Sequence, residues 1–348
     1  MERVLKQLTI TVPSYNVEKT LEATLNSLCV DELLPELDII VVDDGSKDTT
    51  AEIAYAFSAR YPDSVRVVSK QNGGHGSAIN AGIDAARGRY FKVVDGDDRL
   101  DRAGFCALVV ALEKSDSDLV ATNYKKVLPD GSDAGDMDFS GVPFNCVCPF
   151  EQMPTDGSIY FGIHSSTFKT ELLQNNGVRL QEHTFYVDTE YALLPIPYLR
   201  TVEILPERVY LYTVGSAQQS INPATFVRRY GDHLRVVTRL AAFAIACGAD
   251  GPHTDYIYSV LGKLCFTQYM LAAFYDENTA RGRQRARSFD QWLKGDRRLY
   301  DLLAKSLYIR LMRATRFAVL PRGTKLKKAG RAVFGVVKRA TGKKKLTY

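Results

Sequence analysis

From Leu8 to Asn123 the chain alternates strand-like apolar runs with helix-patterned stretches. Leu8-Thr9-Ile10-Thr11-Val12 is a β-branched run ended by Pro13. Asn16 is placed to cap a helix whose Leu21, Leu25 and Leu28 share one face. Asp38 to Val42 is nearly continuous in apolar residues, as a parallel strand covered on both faces should be. A helix with Ile53 and Phe57 inward follows, then a third strand from Val65 to Ser69. Ile79, Ile83 and Ala86 mark another helical face before a fourth strand from Tyr90 to Val94. Arg102 to Lys114 reads as helix and Leu119 to Asn123 as a fifth strand. Strands joined by helical crossovers pair in parallel with right-handed connections, so the expected fold class is α/β with a Rossmann-like, mostly parallel sheet.

In such a sheet, ligands bind beyond the carboxyl ends of the strands. Four loops lie there: Pro13–Asn16, Asp43–Asp48, Lys70–Gly76 and Asp95–Asp98. The last crowds three carboxylates into four residues directly after a buried strand. Their repulsion raises each pKa unless a cation sits among them. Hard divalent ions take carboxylate and phosphate oxygens, so Mn²⁺ or Mg²⁺ with a diphosphate fits this loop. Taken alone, Asp-Gly-Asp-Asp also reads as a solvated turn with Asp98 capping the next helix.

In order, the chain carries Val12-Pro13-Ser14-Tyr15-Asn16, Val41-Val42-Asp43-Asp44-Gly45-Ser46-Lys47-Asp48-Thr49, Asn72-Gly73-Gly74, Ala78-Ile79-Asn80-Ala81-Gly82, and Val93-Val94-Asp95-Gly96-Asp97-Asp98. This run resembles the N-terminal half of family 2 glycosyltransferases with the GT-A fold, strongly to about Leu128 and more weakly to about Ser220. The resemblance implies that Pro13, Tyr15 and Asp44 hold a nucleotide base, usually uracil. An Asp can accept a pyrimidine imide N–H and a Tyr can stack on the ring. Asn72 and Gly74 would lie against the donor, where glycine permits close backbone approach. Asp95 would face the ribose or sugar, and Asp97 and Asp98 would bind the metal. Gly96 stands where Ser is frequent in the family. A carboxylate from the acceptor-side region serves as general base in inverting members, which points to Asp188, with Glu190 as the alternative. Phe185, Tyr186 and Tyr191 flank it and can raise its pKa. His164 and His183 read as structural residues. Gln219 and Ser220 resemble a Gln-Ser pair that closes the catalytic domain in family members, which would contact the diphosphate or order a loop over it; a strand followed by a helix-capping loop is the alternative. The implied reaction is metal-dependent transfer of a sugar from a UDP-sugar to a saccharide or lipid-linked acceptor, in cell-surface polysaccharide or glycolipid synthesis.

On this reading residues 1–222 form the catalytic domain, with a nucleotide-sugar half to about residue 125. Residues 223–301 are helical, Arg281 to Arg287 form a basic linker, and 302–348 form an amphipathic tail. The net charge of +5 conceals an asymmetry: 14 Lys and Arg and no acid lie between Leu302 and Tyr348, leaving −9 on the rest. Apolar stretches between basic clusters suit an anionic membrane surface, and no nucleic-acid recognition fold accompanies the charge. No signal peptide and no membrane-spanning stretch are expected, and with the basic tail the expected location is the cytoplasm, peripheral on the inner face of the cell membrane. Six scattered cysteines argue for a reducing compartment and against a zinc site. Two other function classes remain open. Gly74-His75-Gly76-Ser77-Ala78-Ile79 partly resembles a dinucleotide-binding loop, although Ile79 replaces the third glycine. A non-catalytic membrane-associated scaffold with the same fold is the other.

Overall fold

The computed structural model describes residues 6–215, 223–248 and 250–318. Gln219, Ser220 and the tail from residue 319 onward lie outside the described residues. The chain divides into two compact units, one of residues 1–153 and 161–216, the other of 154–160 and 217–348.

The first unit holds the strands β1 (Leu8–Ser14), β2 (Leu37–Asp43), β3 (Val65–Ser69), β4 (Tyr90–Val93), β5 (Arg99–Leu100), β6 (Leu119–Val127), β7 (Asp133–Met137), β8 (Val147–Pro149), β9 (Ser166–Lys169) and β10 (Thr201–Thr213). Its helices are α1 (Leu21–Leu28), α2 (Thr50–Arg60), α3 (His75–Ala85), α4 (Arg102–Lys114), α5 (Thr170–Asn175) and α6 (Asp188–Leu193). The strands form one sheet in the order β3-β2-β1-β4-β9-β6-β10-β5, with β7 on β6 and β8 on β10. The half β3-β2-β1-β4 is parallel throughout. Beyond it the sheet is mixed. Antiparallel β9 enters between β4 and β6, with Phe168 opposite both Phe91 and Leu119. Its four residues are all buried and too short a run to stand out in the sequence.

Alternation along β2 explains the layers. Leu37, Ile39 and Val41 join the large core with Leu21, Leu25, Phe57, Phe105 and Leu108, whereas Ile40 and Val42 face Ala78 on the other side. Helices α1, α2 and α4 therefore cover one face and α3 the other. The strand ends are stapled by Asp38, whose carboxylate takes both Arg66 Nε and Nη2 at 2.8 Å and Thr9 Oγ1 at 2.9 Å.

Two local expectations are corrected here. Asn16 does not cap α1. It sits at φ +52° and its side-chain oxygen accepts from Lys47 N at 2.8 Å, tying two strand-exit loops together. Asp98 does not cap α4 either; Asp101 does, accepting from Gly104 N at 2.9 Å.

The second unit holds α7 (Pro223–Arg228), α8 (Tyr230–Ala246), α9 (Pro252–Met270), α10 (Thr279–Leu293), α11 (Arg297–Ala304) and α12 (Leu307–Ala314), with a π-turn at Leu271–Tyr275. The expected basic linker Arg281–Arg287 is instead the first half of α10. Asn278 caps it, Arg281 and Arg285 both pair with the buried Asp276, and Ala286, Phe289 and Leu293 give it an inner face. Pro252–Tyr275 is long and apolar enough to cross a membrane, with an 18-residue window at mean hydropathy 1.2, but 61% of that window is buried inside the protein, as in a core helix.

Removing the Asp38 side chain leaves Arg66 without its buried partner and Thr9 without its acceptor. Asp38→Ala is expected to lower unfolding free energy by about 2–3 kcal/mol in urea denaturation, whereas loss of under about 0.5 kcal/mol would show that the staple contributes little.

Candidate active site

The exits of β1, β2, β3 and β4 bring the four loops to one end of the sheet. Pro13 is the penultimate residue of β1, opposite Val42, and Tyr15 follows with 45% exposure. The buried Asp44 organises the next loop. Its Oδ1 accepts from Lys70 Nζ at 2.8 Å and Gly73 N at 2.9 Å, and its Oδ2 accepts from Gly74 N at 2.7 Å. Asn72 Nδ2 donates to Asp44 O at 3.0 Å. Gly74 sits at φ +87°, and a Cβ at Gly76 would stand 2.2 Å from Gln181 O, so this loop requires glycine at both positions. One lone pair of Asp44 Oδ2 remains for a further donor.

The acidic turn after β4 is held from below. Thr20 Oγ1 donates to Gly96 O at 2.8 Å and Thr24 Oγ1 to Asp98 O at 2.7 Å. Asp98 turns inward, where it accepts from Tyr210 OH at 2.8 Å and from Thr213 N at 2.7 Å. Asp95 N donates to the same Tyr210 oxygen at 3.1 Å. Asp95 Oδ1 lies 2.8 Å from His75 Nε2. Asp97 stands exposed at the rim.

The charges answer one another. Burial, then Asp95, then Asp97 push Asp98 well above the usual carboxylate range. The cleft around Asp97 and then the Asp95 charge push that carboxyl up to about 6. Burial opposes ionisation of Asp95, but the charge and hydrogen bond of His75 outweigh it and hold Asp95 below its ordinary value. Burial also opposes charge on His75, and Asp95, Asp188 and Asp97 together raise it nonetheless. Burial pushes His164 down to about 4, so its imidazole is neutral and free to act as a ligand. Tyr124, Tyr210 and Tyr212 surround that ring at centroid distances of 5.2, 4.9 and 4.3 Å.

Asp95, Asp98 and His164 offer ligand atoms that all lie within 4.8 Å of one another. Asp97, expected as a ligand, is not in that set. Two carboxylates and an imidazole make a mixed oxygen–nitrogen donor set, which suits Mn²⁺ better than Mg²⁺. The residues present therefore fit a divalent cation.

Asp188 opens α6, half-buried, behind a loop in which His183 and Tyr186 take positive φ of 49° and 70°. Burial raises its pKa, while the charge on His75 pulls it back. Glu190 is fully buried and accepts from Gln181 N at 2.7 Å and from the Gln181 side-chain amide, so it braces the loop below the site. Three residues gathered here carry no site role in the sequence pattern, and one of them, His164, reads there as a structural residue. His75 had a usable signal, as a titratable side chain in the glycine loop. His164 and Tyr210 had none, because each arrives from a distant turn or strand.

The fold is that of the GT-A glycosyltransferases, with a helical C-terminal region. Residues 9–165 match the family model "Glycosyl transferase family 2". The glycosyltransferase EpsJ of Bacillus subtilis, itself uncharacterised, is 40% identical over 119 residues, 34% of this chain and 34% of its own. The chain spans only about a third of the length of the curated relatives it matches, 34 to 38% for the first three. Staphylococcus aureus TarS 1–349, solved in complex with UDP-GlcNAc, superposes at TM-score 0.66 and 18% identity over 93% of this chain and 92% of that one. The mannosyltransferase PcManGT of Pyrobaculum calidifontis, solved with GDP-Man and Mn²⁺, superposes at TM-score 0.57 and 19% identity over 96% and 85%.

Asp44→Ala removes the acceptor for two loop amides and an ammonium. Stability is expected to fall by about 1–3 kcal/mol, with faster hydrogen exchange at Gly73 and Gly74. Unchanged exchange at those amides would show that Asp44 does not hold the loop.

Proposed function

We propose that this chain is a family 2 glycosyltransferase that moves a sugar from a UDP-sugar to a hydroxyl acceptor, with inversion at the anomeric carbon. The observation that carries the reading is the gathering of Asp95, Asp97, Asp98, His75, His164 and Asp188 at one end of a GT-A sheet. TarS, of like fold, was solved with UDP-GlcNAc, and PcManGT with GDP-Man and Mn²⁺. The dinucleotide alternative is disfavoured by topology: its glycine loop follows β3, an edge strand, whereas that fingerprint follows the first, central strand.

Pro13, Tyr15 and Asp44 frame the base, the free lone pair of Asp44 Oδ2 accepting the imide N–H. Asn72 and Gly74 wall the donor. Asp95, Asp98 and His164 hold the cation, and Asp97 faces solvent at its rim. A bound Mn²⁺ supplies positive charge for the departing diphosphate. Asp188 removes the acceptor proton, and burial, by raising its pKa, makes it a stronger base than an ordinary carboxylate. Glu190, committed to Gln181, leaves that role to Asp188.

The acceptor is saccharide or lipid-linked and lies at the inner face of the cell membrane, in polysaccharide or glycolipid synthesis. The basic segment from Leu302 supports this placement. On α12, Leu307 and Leu311 are 58% and 50% exposed beside the exposed Arg310. The protein is expected to sediment with phosphatidylglycerol vesicles at low salt and to leave them at high salt. Equal behaviour with phosphatidylcholine would remove the membrane from the account.

Asp188→Asn is expected to lower kcat by about 10²–10⁴-fold with donor affinity retained. The base acts deprotonated, so wild-type activity should fall as pH drops through a pKa above the ordinary carboxylate range, and the variant should lose that limb. Near-wild-type turnover of Asp188→Asn would pass the role elsewhere. In a thermal-shift series of nucleotide sugars, one UDP-sugar is expected to raise Tm only with Mn²⁺ present. Metal-independent shifts, or none, would contradict the donor reading.

A further inference from the structure

Among the fully buried large side chains is one cation, Lys92 of β4, three residues before Asp95. Its Nζ donates to His164 O at 3.1 Å and reaches Ser166 O at 3.5 Å. It also stands over the Tyr210 ring, 5.7 Å from the centroid. No carboxylate among the described residues pairs with it. Burial without a counter-charge drags its pKa down to about 7. An ammonium sealed in a sheet against carbonyl oxygens costs stability that a methionine of similar length would not.

What the amine touches suggests why it is there. His164 is the residue whose imidazole joins Asp95 and Asp98. Tyr210 donates to Asp98, accepts from Asp95 N, and packs edge-on against the His164 ring at 4.9 Å. One side chain therefore reaches both supports of the cluster from beneath. Other bonds fix neighbouring parts of the turn: Ser165 N and Ser166 N donate to Gly162 O at 3.1 Å, and Thr122 N donates to Ser165 O at 3.0 Å. Lys92 takes the carbonyl of His164 itself.

We propose that Lys92 is a positioning residue, holding the His164 peptide and the Tyr210 ring so that the imidazole stands within ligand reach of Asp95 and Asp98. The inference rests on reading that trio as a cation site. It goes further by assigning a task to a residue that touches neither donor nor acceptor.

The test uses full-length Lys92→Met, which fills the space without a donor, beside wild type and His164→Ala. Each is titrated with Mn²⁺ alone, the free ion being followed by its electron paramagnetic resonance signal. Lys92→Met is expected to weaken Mn²⁺ binding about 10-fold or more, as loss of a group supporting a metal ligand does, while its Tm stays level or rises. Mn²⁺ affinity within about twofold of wild type would overturn the proposal. A Lys92→Met protein that no longer folds would also overturn it, because the side chain would then serve the sheet. If wild type takes up no Mn²⁺, the cation reading fails by itself. Lys92 is then decided by the His164 Cε1–H resonance, identified by its loss in His164→Ala. A shift of that resonance in Lys92→Met supports the positioning role, and an unmoved resonance removes it.

Discussion

Repulsion among Asp95, Asp97 and Asp98 at the exit of β4 is the constraint that the surrounding structure answers. Three carboxylates in one turn cannot all ionise without help. The protein supplies part of that help. His75 pairs with Asp95, and Tyr210 and Thr213 hydrogen-bond Asp98. Asp98 nonetheless stays well above the usual carboxylate range. A divalent cation would complete the arrangement by offsetting the crowded negative charge of the turn, with two carboxylates and an imidazole as its donors.

The scaffold gives this turn a fixed floor and walls. Parallel strands place four loops at one end of the sheet, and α1 anchors the acidic turn through Thr20 and Thr24. Asp44 turns the Lys70–Gly74 loop into a wall by taking its amides. Polar groups buried at such cost are legible as site-building elements when each of their partners can be named. The helical unit follows the same logic in its own core. Asp276 there is paired with Arg281 and Arg285, and Asp290 with Arg313 and Tyr269.

Local pattern revealed what is local. The runs Leu8–Val12, Asp38–Val42 and Val65–Ser69 announced their strands because apolar and β-branched residues concentrate there. The helix Arg102–Lys114 was legible between the acidic turn and the next apolar run. The carboxylate loops were legible because each directly follows a strand. Long-range placement was not. The strand Ser166–Lys169 is four residues long, and nothing local says that it slips between β4 and β6. His164 lies 46 residues before Tyr210, and only the closed sheet joins them. The same holds for Arg281–Arg287: a run of arginines looks like a solvated linker until the partner Asp276 is seen buried beneath it.

The central claim is that the acidic turn and His164 grip one divalent cation. Anomalous diffraction from crystals soaked in MnCl₂ and UDP, collected at the manganese edge, reads that directly. The account requires a manganese peak bonded to Asp95, Asp98 and His164. A map with no peak there, or with manganese held by Asp97 alone and His164 turned away, would contradict it.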